Sequence, residues 1–155
     1  MTAWPVATLD PVRRLRVMAA ALPATALVER VLDAPYDDVV AMWDDLEHAV
    51  PDLDPMVKSL RILSRDGDRL RIEARQRLMP VPVHFDVELE PGWCWMQSRT
   101  YLVGMAALPV GEDRTLYAHL EGAPWRLARF TRPFVRRLVR VDINGVERVA
   151  QERRR

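Results

Sequence analysis

Apolar residues recur three or four positions apart along the C-terminal stretch of the chain: Leu127, Phe130, Phe134, Leu138, Val141, Gly145 and Val149, led in by Trp125. That spacing places them on one stripe of a helix. The other faces carry Arg126, Arg129, Arg132, Arg136, Arg137, Arg140 and Arg148. A helix with so much bulk on one side is not stable alone and requires a concave apolar surface to lie in. Pro133 falls inside the pattern, so a kink or restart is expected there, with Thr131 as the capping residue.

The remainder of the chain predicts that surface. Asp10-Pro11 opens a short helix whose apolar face is Val12, Leu15, Met18, Ala19 and Leu22, and Pro23 ends it. Met1 to Leu9 reads as a flexible lead. Ala24 to Asp33 has the β-branched character of a strand. Tyr36 to Ala49 reads as a helix with Val39, Val40, Trp43 and Leu46 on one face. Pro51 and Pro55 bound a short irregular or one-turn segment. Six further strands follow: Met56–Ser64, Arg69–Met79, Val81–Glu90, Trp93–Thr100, Tyr101–Leu108 and Thr115–Glu121. Asp66-Gly67-Asp68, Pro91-Gly92 and Val110-Gly111-Glu112-Asp113 mark turns between them. The expected architecture is α+β: a seven-stranded curved antiparallel sheet gripping one long C-terminal helix, two short helices between strands 1 and 2, and an extra N-terminal helix. Residues 1–23 form the lead and the short basic helix, and residues 24–152 the single main domain.

Alternation assigns faces unequally well. In Arg69–Met79, Leu70, Ile72 and Ala74 oppose Arg71, Glu73, Arg75 and Arg77. In Val81–Glu90, Val83, Phe85, Val87 and Leu89 oppose His84, Asp86 and Glu88. The charged faces belong together and outward, with opposite signs across the ladder. A two-residue turn at Pro91-Gly92 pairs Glu90 with Trp93, so Trp93, Trp95 and Gln97 point outward and Cys94, Met96 and Ser98 inward. Two exposed tryptophans are costly and call for a cover, either the N-terminal helix or a second subunit in a homodimer. The last strand is ambiguous. Leu116, Ala118 and Leu120 facing inward is the expected register, and the opposite register would line the interior with Tyr117, His119 and Glu121.

Composition narrows the class. In 155 residues, 49% are hydrophobic and 29% charged, with a formal net charge of +1, the values of a globular domain. No apolar run reaches the roughly 18 to 20 residues that span a bilayer. The N-terminus lacks the pattern of a signal peptide, which suggests a cytoplasmic protein. Cys94 is the single cysteine, so no internal disulfide or cysteine-based metal cage forms. Between Ala34 and Met56 lie seven carboxylates and no Lys or Arg, while the C-terminal helix is basic. Internal complementarity between these two segments is the expectation, with peripheral contact at an anionic membrane as the alternative. No nucleic-acid partner is expected.

The first strand ending in Asp33-Ala34-Pro35, then Val39 to Trp43 and Leu46, Pro51 and Pro55 before the second strand, Pro91-Gly92 before the fifth, Thr115 opening the last, and Val141-Asp142 in the final helix resemble one family. It is the START-like or Bet v 1-like superfamily, in its bacterial polyketide-cyclase/dehydrase and lipid-transport branch. The resemblance runs from about Ala24 to Gln151. It implies a hydrophobic cavity between sheet and last helix that binds lipids, sterols, polyketides, quinones or similar molecules. It implies no universal catalytic residue.

Candidate chemistry is correspondingly sparse. No phosphate loop, zincin helix or nucleophile elbow is present. His48, His84 and His119 sit on three different elements, so no metal site is expected, and no cofactor either. Cys94 reads as a small apolar filler. Met42, Trp43 and Met56 are placed near the cavity mouth or in the core. The residues expected to border a hydrophobic small-molecule ligand are Met79, Met96, Tyr101, Met105, Phe130 and Phe134, with Tyr117 and His119 in the second register of the last strand. Few polar groups face inward in this count, which favours binding or transport over an aromatase/cyclase-type reaction or a membrane- or protein-interaction module.

Overall fold

The structure, a computed structural model, describes residues 8–153. Met1 to Ala7 of the expected flexible lead lie outside the described residues. The elements run α1 (Pro11–Ala21), β1 (Thr25–Leu32), α2 (Tyr36–Asp44), α3 (Leu46–Leu53), β2 (Val57–Asp66), β3 (Arg69–Gln76), β4 (Val83–Glu90), β5 (Trp93–Gln97), β6 (Leu102–Pro109), β7 (Thr115–Gly122), a 3-10 turn at Arg126–Thr131 and α4 (Arg132–Glu152). The seven strands form one antiparallel sheet in the order β1-β7-β6-β5-β4-β3-β2. Only the β1–β7 contact joins strands distant in sequence; every other pair is a hairpin. The sheet, with β1 and β2 as its edges, packs its concave face on α4, the α+β helix-grip arrangement.

Both faces of the sheet are covered, by different elements. On the concave face, Ile72, Phe85, Met96, Met105 and Tyr117 pack with α2, α3 and α4 in the main core. On the convex face, α1 lays Val12 and Leu15 against Trp93, Trp95, Leu102, Ala106, Ala118 and Leu120. The cover for the two outward tryptophans is thus the protein's own first helix. Asp10 starts that helix, its Oδ1 accepting from Arg13 N at 2.8 Å, with Pro11 in the first turn. Arg14 on α1 stacks its guanidinium 4.0 Å from the centre of the Trp93 ring and donates to Glu90 Oε1 at 3.0 Å. Trp93 and Trp95 lie parallel at 6.1 Å. Gly104, the cross-strand partner of Trp95, leaves room for this stack: a Cβ there would sit 2.6 Å from Leu15 Cδ1 and 2.9 Å from the Trp95 ring.

The charged faces of β3 and β4 meet as alternation requires. Arg71 is paired with Asp86, and Glu73 with His84. Two helical expectations need correction. The stretch Tyr36–Ala49, expected as one helix, divides at Asp45 into α2 and α3, and α3 runs through Pro51 to Leu53, into the segment expected to be irregular or one-turn. In α4, Phe134 and Val141 are exposed, and the inward stripe is Val135, Val139, Asp142, Val146 and Val149. The offset has two causes. Trp125 to Thr131 precede the α-helix as a turn of different period, so their aromatic residues do not extend its stripe. The true stripe also includes a buried carboxylate, which a hydrophobic pattern skips. Pro133 falls in the first turn of α4, so the restart predicted from it occurs there. Thr131 stands at the N-cap position, but its hydroxyl donates to Ala128 O at 2.7 Å rather than capping.

The acidic stretch packs against α4 through α2 and α3, and its polar contacts reach the C-terminal part of the helix. Arg148 donates to Asp52 O at 3.1 Å, and Arg153 helps hold the Asp45 carboxyl below its ordinary range, after the hydrogen bond from His48. Among the described residues, no hydrogen bond or ion pair joins Arg126 to Arg140 to these carboxylates.

Candidate functional site

A cavity of about 80 Å³ lies between the concave face and α3 and α4. Its apolar wall comes from every layer: Val50 and Leu53 of α3, Ile72 and Ala74 of β3, Phe85 of β4, Met96 of β5, Val103 and Met105 of β6, and Val146 of α4. Beside the cavity, α4 approaches α3 closely at a glycine. A Cβ on Gly145 would lie 2.8 Å from Leu53 O. The volume holds a few water-sized groups, below the roughly 300 Å³ of a site for a drug-sized molecule. A larger ligand requires α3 and the segment around Tyr101 to give way.

One end of this cavity is polar, and β7 makes it so. Tyr117, His119 and Glu121 point inward, while Ala118 and Leu120 pack beneath α1. This is the second of the two registers open in the sequence, and the expected one, aliphatic face inward, is corrected. The reason is that the convex face of β7 is not wet. Helix α1 turns it into a second core, so both faces of the strand are buried and alternation alone does not rank them.

Glu121 is the centre of the polar end. It is buried among apolar neighbours, and its two oxygens are held from two sides. Tyr101 Oη donates to Oε2 at 2.6 Å, and His119 Nε2 lies 3.0 Å from Oε1. Burial alone would raise its pKa, but the hydrogen bond and charge of His119 and the Tyr101 hydroxyl outweigh burial and hold it below its ordinary value. Glu121 is therefore a carboxylate, and Nε2 of His119 donates to it. The other ring nitrogen, Nδ1, is buried without a hydrogen-bond partner among the described residues. Tyr117 Oη is in the same condition, its ring edge-on to His119 at 6.1 Å.

Asp142 reaches this group from α4. His119, Glu121 and Asp142 each present an atom within 4.8 Å of the others. Burial first, and the Glu121 charge second, push the Asp142 carboxyl up to about 9. Asp54, at the end of α3, is also raised, chiefly by burial. Two adjacent carboxylates thus differ in state: Glu121 ionised, Asp142 protonated. These residue types would also suit a divalent cation. With Nε2 and Oε1 already engaged as donor and acceptor, the arrangement as it stands is a proton-sharing cluster.

Of the residues expected to border a ligand, Met96, Tyr101, Met105, Tyr117 and His119 meet around the cavity. Met79, Phe130 and Phe134 do not; they are 51%, 76% and 65% exposed. Met42 and Trp43 are buried in the main core and Met56 is partly exposed, so the first two do not gate a mouth. His48 and His84 lie on the surface, His48 bonded to Asp45 at 2.7 Å. Cys94 is buried, and burial pushes its thiol well above the ordinary range, leaving no thiolate for catalysis. Asp142 joins the site without being among the expected ligand-bordering residues; its signal in the sequence is a lone acid in an apolar helical stripe. Glu121 was visible only as one member of an undecided face.

No protein-family model matches the chain, and no curated protein is similar to it in sequence. Solved structures are similar in fold. An aromatase/cyclase from a Streptomyces species matches at TM-score 0.67 and 15% identity, over 84% of this chain and 95% of its own. Norcoclaurine synthase from Thalictrum flavum matches at 0.60 and 15%, over 84% and 96%. A START superfamily protein from Mycobacterium smegmatis matches at 0.55 and 16%, over 84% and 96%. Sheet order, gripped helix and these likenesses agree: the chain has the helix-grip fold of the START-like and Bet v 1-like proteins.

Proposed function

We propose that the protein binds a small, largely apolar molecule in this chamber and catalyses proton transfer at an oxygen-bearing end placed against His119, Glu121 and Asp142. One observation carries the reading: buried Glu121 is fixed by Tyr101 and His119, so that the imidazole is oriented and its Nδ1 is left without a partner among the described residues. Fixing a buried carboxylate in this way costs several kcal/mol of desolvation, which an apolar core would avoid. Strongly shifted groups gathered in a cleft are the usual mark of a reacting site. The sequence count of few inward polar groups favoured a carrier; the polar end of the chamber reverses that balance.

The chemistry that fits is abstraction of a proton from carbon next to a carbonyl. In its neutral form, with Nε2–H directed at Glu121, His119 takes the C–H proton at Nδ1, and the electron pair moves into the C–C bond and onto oxygen. Asp142 gives its proton to that oxygen, producing a neutral enol. Return of both protons, or attack of the enol carbon on a second carbonyl, regenerates the groups. That two of the similar folds are an aromatase/cyclase and a norcoclaurine synthase supports a chamber suited to carbon-centred chemistry.

The test uses a phenyl-substituted 1,3-diketone as probe. Binding is followed by tryptophan fluorescence and exchange of the central C–H by NMR in deuterium oxide. Exchange should exceed the buffer rate and fall about 10²- to 10⁴-fold in His119→Ala, with binding changed only a few-fold. Tight binding without accelerated exchange would return the reading to a carrier. No binding of this probe or of fatty-acyl and polycyclic probes would defeat both.

A further inference from the structure

Two hairpin loops and the connection from β7 to α4 gather at the chamber end of the sheet. In an antiparallel sheet of this order, the end of β3, the start of β4, the end of β5, the start of β6 and the end of β7 lie together. The connecting segments are residues 77–82, 98–101 and 123–131, and a surface groove joins Met79, Val81, Arg99, Thr100 and Pro124 across all three. Tyr101, Gln76 and Glu121 of the chamber belong to the same end.

The composition of this end is unlike the rest of the surface. Leu78, Val81, Leu127 and Phe130 are exposed, Leu127 by 86% and Leu78 by 78%. Trp125 and Phe134 flank them, also exposed. None of the three loops contains an acid, and from Gly122 to Val141 the chain has six arginines and no Asp or Glu. Among the described residues, Arg126, Arg129, Arg132, Arg136, Arg137 and Arg140 form no ion pair, a run of six along one segment, whereas Arg14, Arg16, Arg30, Arg61, Arg71, Arg75 and Arg148 are each paired with a carboxylate. Cations without a carboxylate partner, Arg129 lying 5.1 Å from the centre of the Phe130 ring, interleave with exposed aromatic and aliphatic side chains and match a surface that is anionic outside and apolar beneath. Aromatic-lined nucleic-acid grooves also combine these types, but they track a backbone along a concave channel; here Leu78, Leu127, Phe130 and Phe134 stand at protruding loops and a helix start.

We infer that this end is a docking face for an anionic lipid bilayer, seating Trp125, Leu127, Phe130, Leu78 and Val81 at the headgroup boundary while Arg126, Arg129 and Arg132 contact acidic headgroups. The chamber's polar end then lies beside the membrane surface, so a membrane-dissolved molecule reaches it without crossing bulk water. The docking face stands on exposure and charge alone and does not depend on the chemistry proposed for the chamber.

Vesicle flotation of the full chain tests it. Vesicles of phosphatidylcholine with about one-third phosphatidylglycerol should carry the protein, and pure phosphatidylcholine should not. Each arginine near such a surface contributes about fivefold to partitioning, so Arg126→Gln, Arg129→Gln and Arg132→Gln together should lower it about 100-fold. Trp125→Ala with Phe130→Ala should weaken it further, and all these exposed substitutions should leave the melting temperature unchanged. The same triple change at Arg65, Arg69 and Arg114 should have no effect. Equal binding of both vesicle types, no binding at low salt, insensitivity to the arginine changes, or tighter binding to an RNA oligonucleotide than to anionic vesicles would each overturn the assignment.

Discussion

Asp142 on α4 and Glu121 on β7 bring carboxyl oxygens within 4.8 Å of each other in a buried chamber, one protonated and the other ionised. Two like charges so close and so poorly solvated do not coexist, so the pair shares one proton and the better-bonded member keeps the charge. Tyr101 and His119 decide which member that is. The helix is thereby joined to the sheet by a polar contact at the one place where both could otherwise have been apolar.

A pH dependence of stability follows from Asp142. Its ordinary value is 3.8, and in the folded protein burial and the Glu121 charge raise it to about 9. Between these values the native state holds a proton that the unfolded chain has released. Stability therefore falls as pH rises, by at most about 1.4 kcal/mol per unit, until the folded group ionises. Glu121, whose folded value is lowered, acts oppositely and only on the acid side, below its ordinary 4.5. Asp142→Asn keeps the shape and a donor toward Glu121. Thermal melts at pH 5, 7 and 9 should show a declining Tm in the parent protein and a flatter profile in the variant. Parallel profiles would remove Asp142 as the titrating group.

Tyr101→Phe deletes one 2.6 Å donor to a buried carboxylate. A hydrogen bond to a charged group contributes about 1.5–3 kcal/mol, so urea denaturation at pH 7 should show a loss of that size. Probe exchange should also drop, since Glu121 would no longer be held from both sides. A variant as stable and as active as the parent would mean that His119 alone fixes Glu121.

The convex face makes a separate prediction. In Gly104→Ala the new Cβ lies within 3 Å of both Leu15 and the Trp95 ring. Neither can withdraw far, because Trp95 stacks on Trp93 and Leu15 is fully buried. A destabilisation of about 1–3 kcal/mol is expected from such overpacking. Combining it with Leu15→Ala should give clear non-additivity in a double-mutant cycle, because the second change vacates the space the first needs. Probe binding in the chamber should be unaffected, since the sheet separates the two sites.

Helix α1 is also the reason no second subunit is needed over the tryptophans. Removing residues 1–22 would uncover Trp93 and Trp95, an apolar patch of the kind that drives association. Size-exclusion chromatography of the truncated chain should show oligomers or aggregate where the full chain elutes as a single smaller species. A monodisperse truncated monomer of unchanged Tm would show that α1 contributes little.

Architecture was legible in the residues because it depends on local physics. Asp10-Pro11 caps a helix whatever lies around it, and Asp66-Gly67-Asp68 turns the chain by its own backbone preferences. The Glu90–Trp93 pairing follows from a two-residue turn, and with it the outward tryptophans and their need of a cover. In β3 and β4 one face is wet, so alternation sorts inside from outside. In β7 both faces are buried, one under α1 and one in the chamber, and the period of two then carries no sign. That choice, which sets Tyr117, His119 and Glu121 inward, was made by the docking of α1. Asp142 reads as an interruption in an apolar stripe until α4 is laid in the sheet; its proximity to Glu121 and its raised pKa come from packing between elements some twenty positions apart in the chain. Turns, caps and one-sided strands are properties of neighbouring residues. The state of a buried carboxylate is a property of whatever the fold places beside it.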